Sequence, residues 1–228
     1  MATTPPRYPA YLLPGPGLVW TRFLTVLSDG TLARHALVSL TESVSGLALG
    51  LAAASILGYL VAKSRALERA LTPYIVASQA IPVVAIAPLL VIWLGFGLRS
   101  KILICALIVF FPILVNTVIG VKSVEPNLRD LMRSLRATRW QTFVMLELPA
   151  ALPILLGGLK IGATLSVIGA VVGEFVSRDR GLGFLIDFAR GQYDTALVFV
   201  AVATLIVMAL SLYAAVALLE RFVLRWNT

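Results

Sequence analysis

Lys160 is the only basic residue set deep in a long apolar run, and its ammonium is the first group that could do chemistry. If the run crosses a membrane, an unpaired charge there costs several kcal/mol. Such a residue normally faces protein or water and marks a pathway or gate. The rival reading is snorkelling, in which the long side chain reaches a surface roughly 15 Å away at 1.5 Å per residue. On a helix, Lys160, Thr164, Val167, Val171 and Glu174 share one stripe. Thr164 and Glu174 thereby join Lys160 as candidates for a solute route. Gln79, beside Pro82, is a further polar group that could meet solute. Glu42 and Glu174 are expected near the outer helix ends, where a surface role becomes easier. His35 has no partner at metal spacing and reads as interfacial, and Cys105, the single cysteine, reads as a packing residue.

The opposite face of the same helix is made of small residues. Gly158, Gly162, Ser166, Gly169 and Gly173 recur every three or four positions. At about 100° per residue they form a narrow stripe against which another helix can pack closely. The helix is thus expected to lie between a packing neighbour and something more polar.

Composition requires elements that cross a bilayer. The chain is 59% hydrophobic and 13% charged, with mean hydropathy +0.94, where a soluble domain carries about 25% charged residues. So little polar surface leaves apolar side chains that lipid must cover. The net charge of +8 is spread between apolar segments, as at anionic lipid surfaces, and not in one water-facing patch that would suit nucleic acid.

Five spans are expected, at about 36–62, 73–94, 102–121, 150–176 and 196–218. Residues 1–35 are expected outside the membrane, with 1–16 as an extended arm and 18–27 as a short interfacial helix; 36–228 form the transmembrane domain. The second span carries Pro82 and Pro88, each expected to kink it. Those kinks either line a watery cavity or are structural only. The basic residues divide ten against eight between the two sets of connections, a weak vote on orientation.

No catalytic constellation appears. There is no G-x-x-x-x-G-K-[ST] loop, no metal cluster and no Cys/His pair. The chain reads as a non-enzyme without a bound metal or cofactor.

The connection 122–149 carries the resemblance. From Asp130 it reads DLMRSLRATRWQTFVMLELP. This resembles the signature loop of ABC-importer permeases, written E-A-A, three residues, G, nine residues, I-x-L-P. Asp130 takes the Glu position, Leu131 and Met132 the two alanines, Arg136 the glycine and Leu146 the isoleucine; Leu148 and Pro149 match outright. The segments SQAIPVVAIAPLLVIWLGFGLRSK, FFPILVNTVIGV, LPAALPILLGGLKIG and GEFVSRDRGLGFLI resemble the nitrate/sulfonate/taurine branch of these permeases. Within it they look most like permeases for the thiamine pyrimidine precursor or riboflavin.

The resemblance implies an all-α polytopic permease with a short cytoplasmic coupling helix, importing a small organic solute. It implies a docking loop using Asp130, Leu131, Met132, Leu135, Arg136, Arg139, Leu148 and Pro149. Its partners would be a separate ABC ATPase carrying ATP and Mg, an extracytoplasmic solute-binding protein and a second, identical permease. The place would be the bacterial inner membrane, with the amino terminus outside and the carboxyl terminus in the cytoplasm. Arg136 in the glycine position implies a turn that differs from, or is softer than, a left-handed glycine turn. The alternatives are a secondary carrier needing no ATPase and a non-transporting membrane scaffold. Carriers commonly show internal repeats, and none is found here.

Overall fold

The computed structural model describes residues 13–224, with every side chain among them except that of Gln79. The first twelve residues of the expected arm, Arg225 and Trp226 lie outside the described residues. All elements among these residues are helices. A short α1, Pro16–Ser28, begins with Pro16 at its first positions, where a missing N–H costs nothing. It covers the short helix expected at 18–27. Gly30 at φ 75° turns the chain into the long α2, Thr31–Lys63.

The region of the expected second span holds two helices. Ser64 breaks the chain and caps α3, Arg65–Gln79, through its hydroxyl. Pro82 then caps α4, Val83–Leu94, because the residue before a proline is pushed out of helical geometry. The two helices meet at 95°. Pro88 lies inside α4 without breaking it. The expected pair of kinks is therefore one sharp break at Pro82. Among the described residues, four helices are long and apolar enough to cross a membrane, or five crossings if the bent pair is one span.

The remaining elements follow in order. Helix α5 is Leu98–Lys122, α6 is Pro126–Ser134 and α7 is the single turn Arg139–Thr142. A π-helical turn, Phe143–Glu147, leads into α8, Leu148–Ser177. Helix α9, Leu182–Gly191, and α10, Thr195–Val223, complete the described elements.

Helix α5 is the axis of the bundle, held between α2 and α8 by two seams of small residues. A methyl added at Gly169 of α8 would sit 2.7 Å from the Cys105 Cα, and one at Gly158 would sit 2.7 Å from the Asn116 Cβ. The expected glycine stripe is thus the contact with α5. The second seam, Gly46, Gly50, Ala54 and Gly58 on α2, meets the other side of α5 at Cys105, Val109 and Thr117. Such seams replace the hydrophobic drive that lipid removes with close van der Waals contact. Cys105 lies where both seams converge and is fully buried. Farther along, α1 and α9 pack on α10 around Leu182, Leu197 and Val200, tied by the Arg22–Asp194 ion pair at 2.7 Å.

Candidate functional site

The loop after α5 is built by local rules. Pro126 starts α6, and at its end Arg136 turns the chain with φ 53°. There the Arg136 N–H donates to the Arg133 carbonyl (2.9 Å) and the Ala137 N–H to the Met132 carbonyl (3.0 Å). The expectation of an altered or softer turn is corrected: Arg136 takes the left-handed geometry itself, because these two bonds close the helix end. Thr138 then opens α7 with a capping box, its N–H donating to Gln141 Oε1 at 2.8 Å.

This loop exposes apolar side chains between cations. Leu131 and Leu135 are 54% and 68% exposed, and Trp140 and Met145 are equally open. Met132, Leu148 and Pro149 are half-buried, while Asp130, Arg133, Arg136 and Arg139 are exposed. Asp130 and Arg133 pair at 3.0 Å, a surface bridge worth little. An apolar surface rimmed by charge is what a protein interface presents.

The loop returns to the bundle through a buried carboxylate. Glu147, 1% exposed, accepts from Lys63 Nζ (2.6 Å) and from the Tyr59 hydroxyl (3.0 Å). This joins the π-helical turn to the end of α2. Sequence reading passed over Glu147, although an acidic residue between two leucines of an apolar flank was a signal that a partner cation is needed.

Lys160 is not free. It forms an ion pair with Glu220 of α10, both about one-quarter exposed or less. Thr164 is half-buried, and its hydroxyl donates to the Ile161 carbonyl at 2.9 Å. Gln79 closes α3.

At the end of the bundle opposite the loop, the expectation of a surface role for Glu174 and Glu42 is corrected, since both are fully buried. Glu174 accepts from the Ser39 hydroxyl and the Gly183 N–H. Gly181, at φ 121°, leaves no room for a side chain beside that carboxylate. Lys101 joins Glu42 (3.0 Å), Asp179 (3.3 Å) and the Arg180 carbonyl (2.9 Å). His35 accepts from the Gly181 N–H at 3.1 Å. Together these groups lock α2, α5 and α8 to the turn before α9. The stripe on α8 is therefore divided: a half-open ion pair stands at Lys160, and a sealed polar plug encloses Glu174.

No group of three or more metal-ligating side chains occurs among the described residues.

Comparison with known proteins agrees with this arrangement. Residues 46–225 match the family described as binding-protein-dependent transport system inner membrane component. The chain is 51% identical to the riboflavin transport system permease protein RibX of Chloroflexus aurantiacus, over 96% of this chain and 82% of that one. It is 38% identical to the formylaminopyrimidine transport permease protein ThiX of Halalkalibacterium halodurans, over 95% and 86%. The fold is similar to a chain of the MetNI methionine ABC transporter in an inward-facing conformation. That match has a TM-score of 0.77 at 19% identity, over 86% of this chain and 97% of that chain.

Proposed function

The chain belongs to the binding-protein-dependent transport system inner membrane components, and on that premise we propose that it carries a flavin, riboflavin or a close analogue, across the membrane. It is the multi-pass permease subunit of an ABC importer and is not itself catalytic. The family implies an ATPase, a binding protein and dimerisation in general. The observation that carries the solute reading is the 51% identity to a riboflavin permease along nearly the whole chain. The formylaminopyrimidine permease follows at 38%, and a taurine permease of Escherichia coli at 32%.

In the finer reading the permease works as a homodimer, with ATP and Mg held by the separate ATPase. That ATPase docks on α6 and α7 through Leu131 and Leu135. Closure of the ATPase pair moves the loop as a lever. Pro149 and Pro153, at the start of α8, and the Glu147–Lys63 link pass the movement to α8 and α2. The Lys160–Glu220 pair and Thr164 border the solute route, while the plug around Glu174 closes its outer end. The bundle then alternates between two states, and ATP shifts their populations by binding one better than the other.

The test is uptake of labelled riboflavin by cells lacking their own flavin transport, given this permease with its ATPase and binding protein. Riboflavin-dependent, ATP-dependent uptake is expected. Uptake of the formylaminopyrimidine with none of riboflavin would transfer the assignment to that solute. Failure of the permease to co-purify with any ATPase would favour a secondary carrier or a scaffold.

A further inference from the structure

The cations of the loop border a hollow that the docking reading leaves unused. It has a volume of about 650 Å³ and is lined by Lys63, Arg129, Arg133, Arg139, Tyr59 and Glu147, among others. We propose that this hollow and the apolar groove beside it bind one anionic phospholipid of the cytoplasmic leaflet. The phosphate sits among the arginines and an acyl chain lies in the groove. The proposal rests on the reading that the 122–149 loop lies at the cytoplasmic surface, and not on the identity of the solute.

Charge is the first argument. Four cations line the hollow against one carboxylate, and Glu147 is already satisfied by Lys63 and Tyr59. Arg139 makes no ion pair among the described residues, and Arg133 has only its exposed bridge to Asp130. Arg129 donates one Nη to the Val121 carbonyl at 2.7 Å, but its buried Nε has no acceptor. A buried donor without an acceptor is costly until one arrives. A phosphate diester supplies several acceptors to planar guanidinium forks.

The adjoining groove selects the source of that phosphate. It has a volume of about 630 Å³ and shares Tyr59, Arg139 and Glu147 with the hollow. Its walls are Ile56, Leu60, Phe143, Ala151 and Leu155. Between Lys63 and Ser55 helix α2 rises about 12 Å, so the groove descends from the headgroup level into hydrocarbon. Trp140, 70% exposed, stands at its mouth, at the depth where tryptophan rings settle. A free phosphate would use only the hollow; a phospholipid fills both parts.

The experiment uses the permease with its ATPase, reconstituted in nanodiscs of equal phosphatidylcholine and phosphatidylglycerol. After detergent extraction, retained lipid is counted by native mass spectrometry. Phosphatidylglycerol should be retained in preference to phosphatidylcholine. Arg139→Gln, which removes one charged donor, should lower its retention about tenfold. Ile56→Trp, which fills the groove and leaves every cation in place, should lower it comparably. Melting checks each variant's fold, and if Arg139→Gln fails that check, Ile56→Trp decides. Equal retention of the two lipids, or wild-type retention in the folded variants, overturns the proposal. Complete displacement of the lipid by inorganic phosphate overturns the lipid assignment in favour of a free-phosphate site.

Discussion

Arg136 sits in a conformation that glycine adopts freely and other residues resist. Its φ of 53° is held by the two hydrogen bonds that end α6. The left-handed region costs a non-glycine residue about 1 kcal/mol or more. Arg136→Gly is therefore expected to stabilise the turn by about 1 kcal/mol, less the added freedom of the unfolded glycine. Thermal unfolding of the purified transporter should show an unchanged or slightly raised midpoint; a clear fall would mean that the guanidinium itself is needed. The second prediction at this scale concerns Lys160. Because it pairs with Glu220, Lys160→Ala leaves a half-buried carboxylate without its cation. Uptake should fall in Lys160→Ala and recover in part when Glu220→Gln is added. No recovery would separate Lys160's role from the pair, and unaltered uptake in the single variant would remove it from the route.

At the scale of elements, the seam between α5 and α8 sorts the glycines by what they meet. A methyl at Gly169 would press on backbone, the Cys105 Cα at 2.7 Å, whereas one at Gly162 would meet the tip of Ile113 at 3.0 Å. Backbone cannot step aside, and a flexible side-chain end can. Gly169→Ala should therefore cost about 1–3 kcal/mol and reduce assembled transporter, with Gly162→Ala milder. Equal yields of the two variants would contradict the packing order. The docking loop carries its own prediction. Leu135, 68% exposed, is open in the isolated chain but would be covered by the ATPase. Leu135→Asp would bury a charge there at about 2–4 kcal/mol. Solute-stimulated ATP hydrolysis should be lost while insertion continues; unchanged stimulation would remove Leu135 from the interface.

At the scale of the whole molecule, orientation is open to a direct measurement. The single native cysteine, Cys105, is buried, so background labelling is low. With the amino terminus outside, Tyr193→Cys, on the exposed turn before α10, should react with an impermeant thiol reagent in intact cells. Glu125→Cys, on the exposed start of the loop, should react only after the membrane is opened. The reverse pattern would place the docking loop outside and exclude ATPase binding there. The same measurement bears on the plug at Lys101, Glu42 and Glu174, because it fixes that cluster at the outer end.

Much of this architecture was legible in the chain itself. The long apolar helices follow from hydropathy, because lipid imposes both length and composition on any helix that crosses it. The glycine stripe of α8 follows from helical period, since residues three and four apart must share a face. The loop from Asp130 to Pro149 follows from its motif. Other features depended on partners far away in sequence. Pro82 announced a disturbance, but only packing decided that it became a 95° break and that Pro88 stayed helical. The seam on α2, with Gly46, Gly50, Ala54 and Gly58 at intervals of four, was present in the letters, but period alone does not say which helix fills a groove. Lys160 was expected to need water, surface or a carboxylate, and the fold chose Glu220, sixty residues away. Glu174 shared its stripe and was expected near the surface, yet Ser39 and Gly183 enclose it. A charge in an apolar segment announces that a partner must exist; which partner meets it is set by the crossing of helices, and that is a property of the tertiary structure alone.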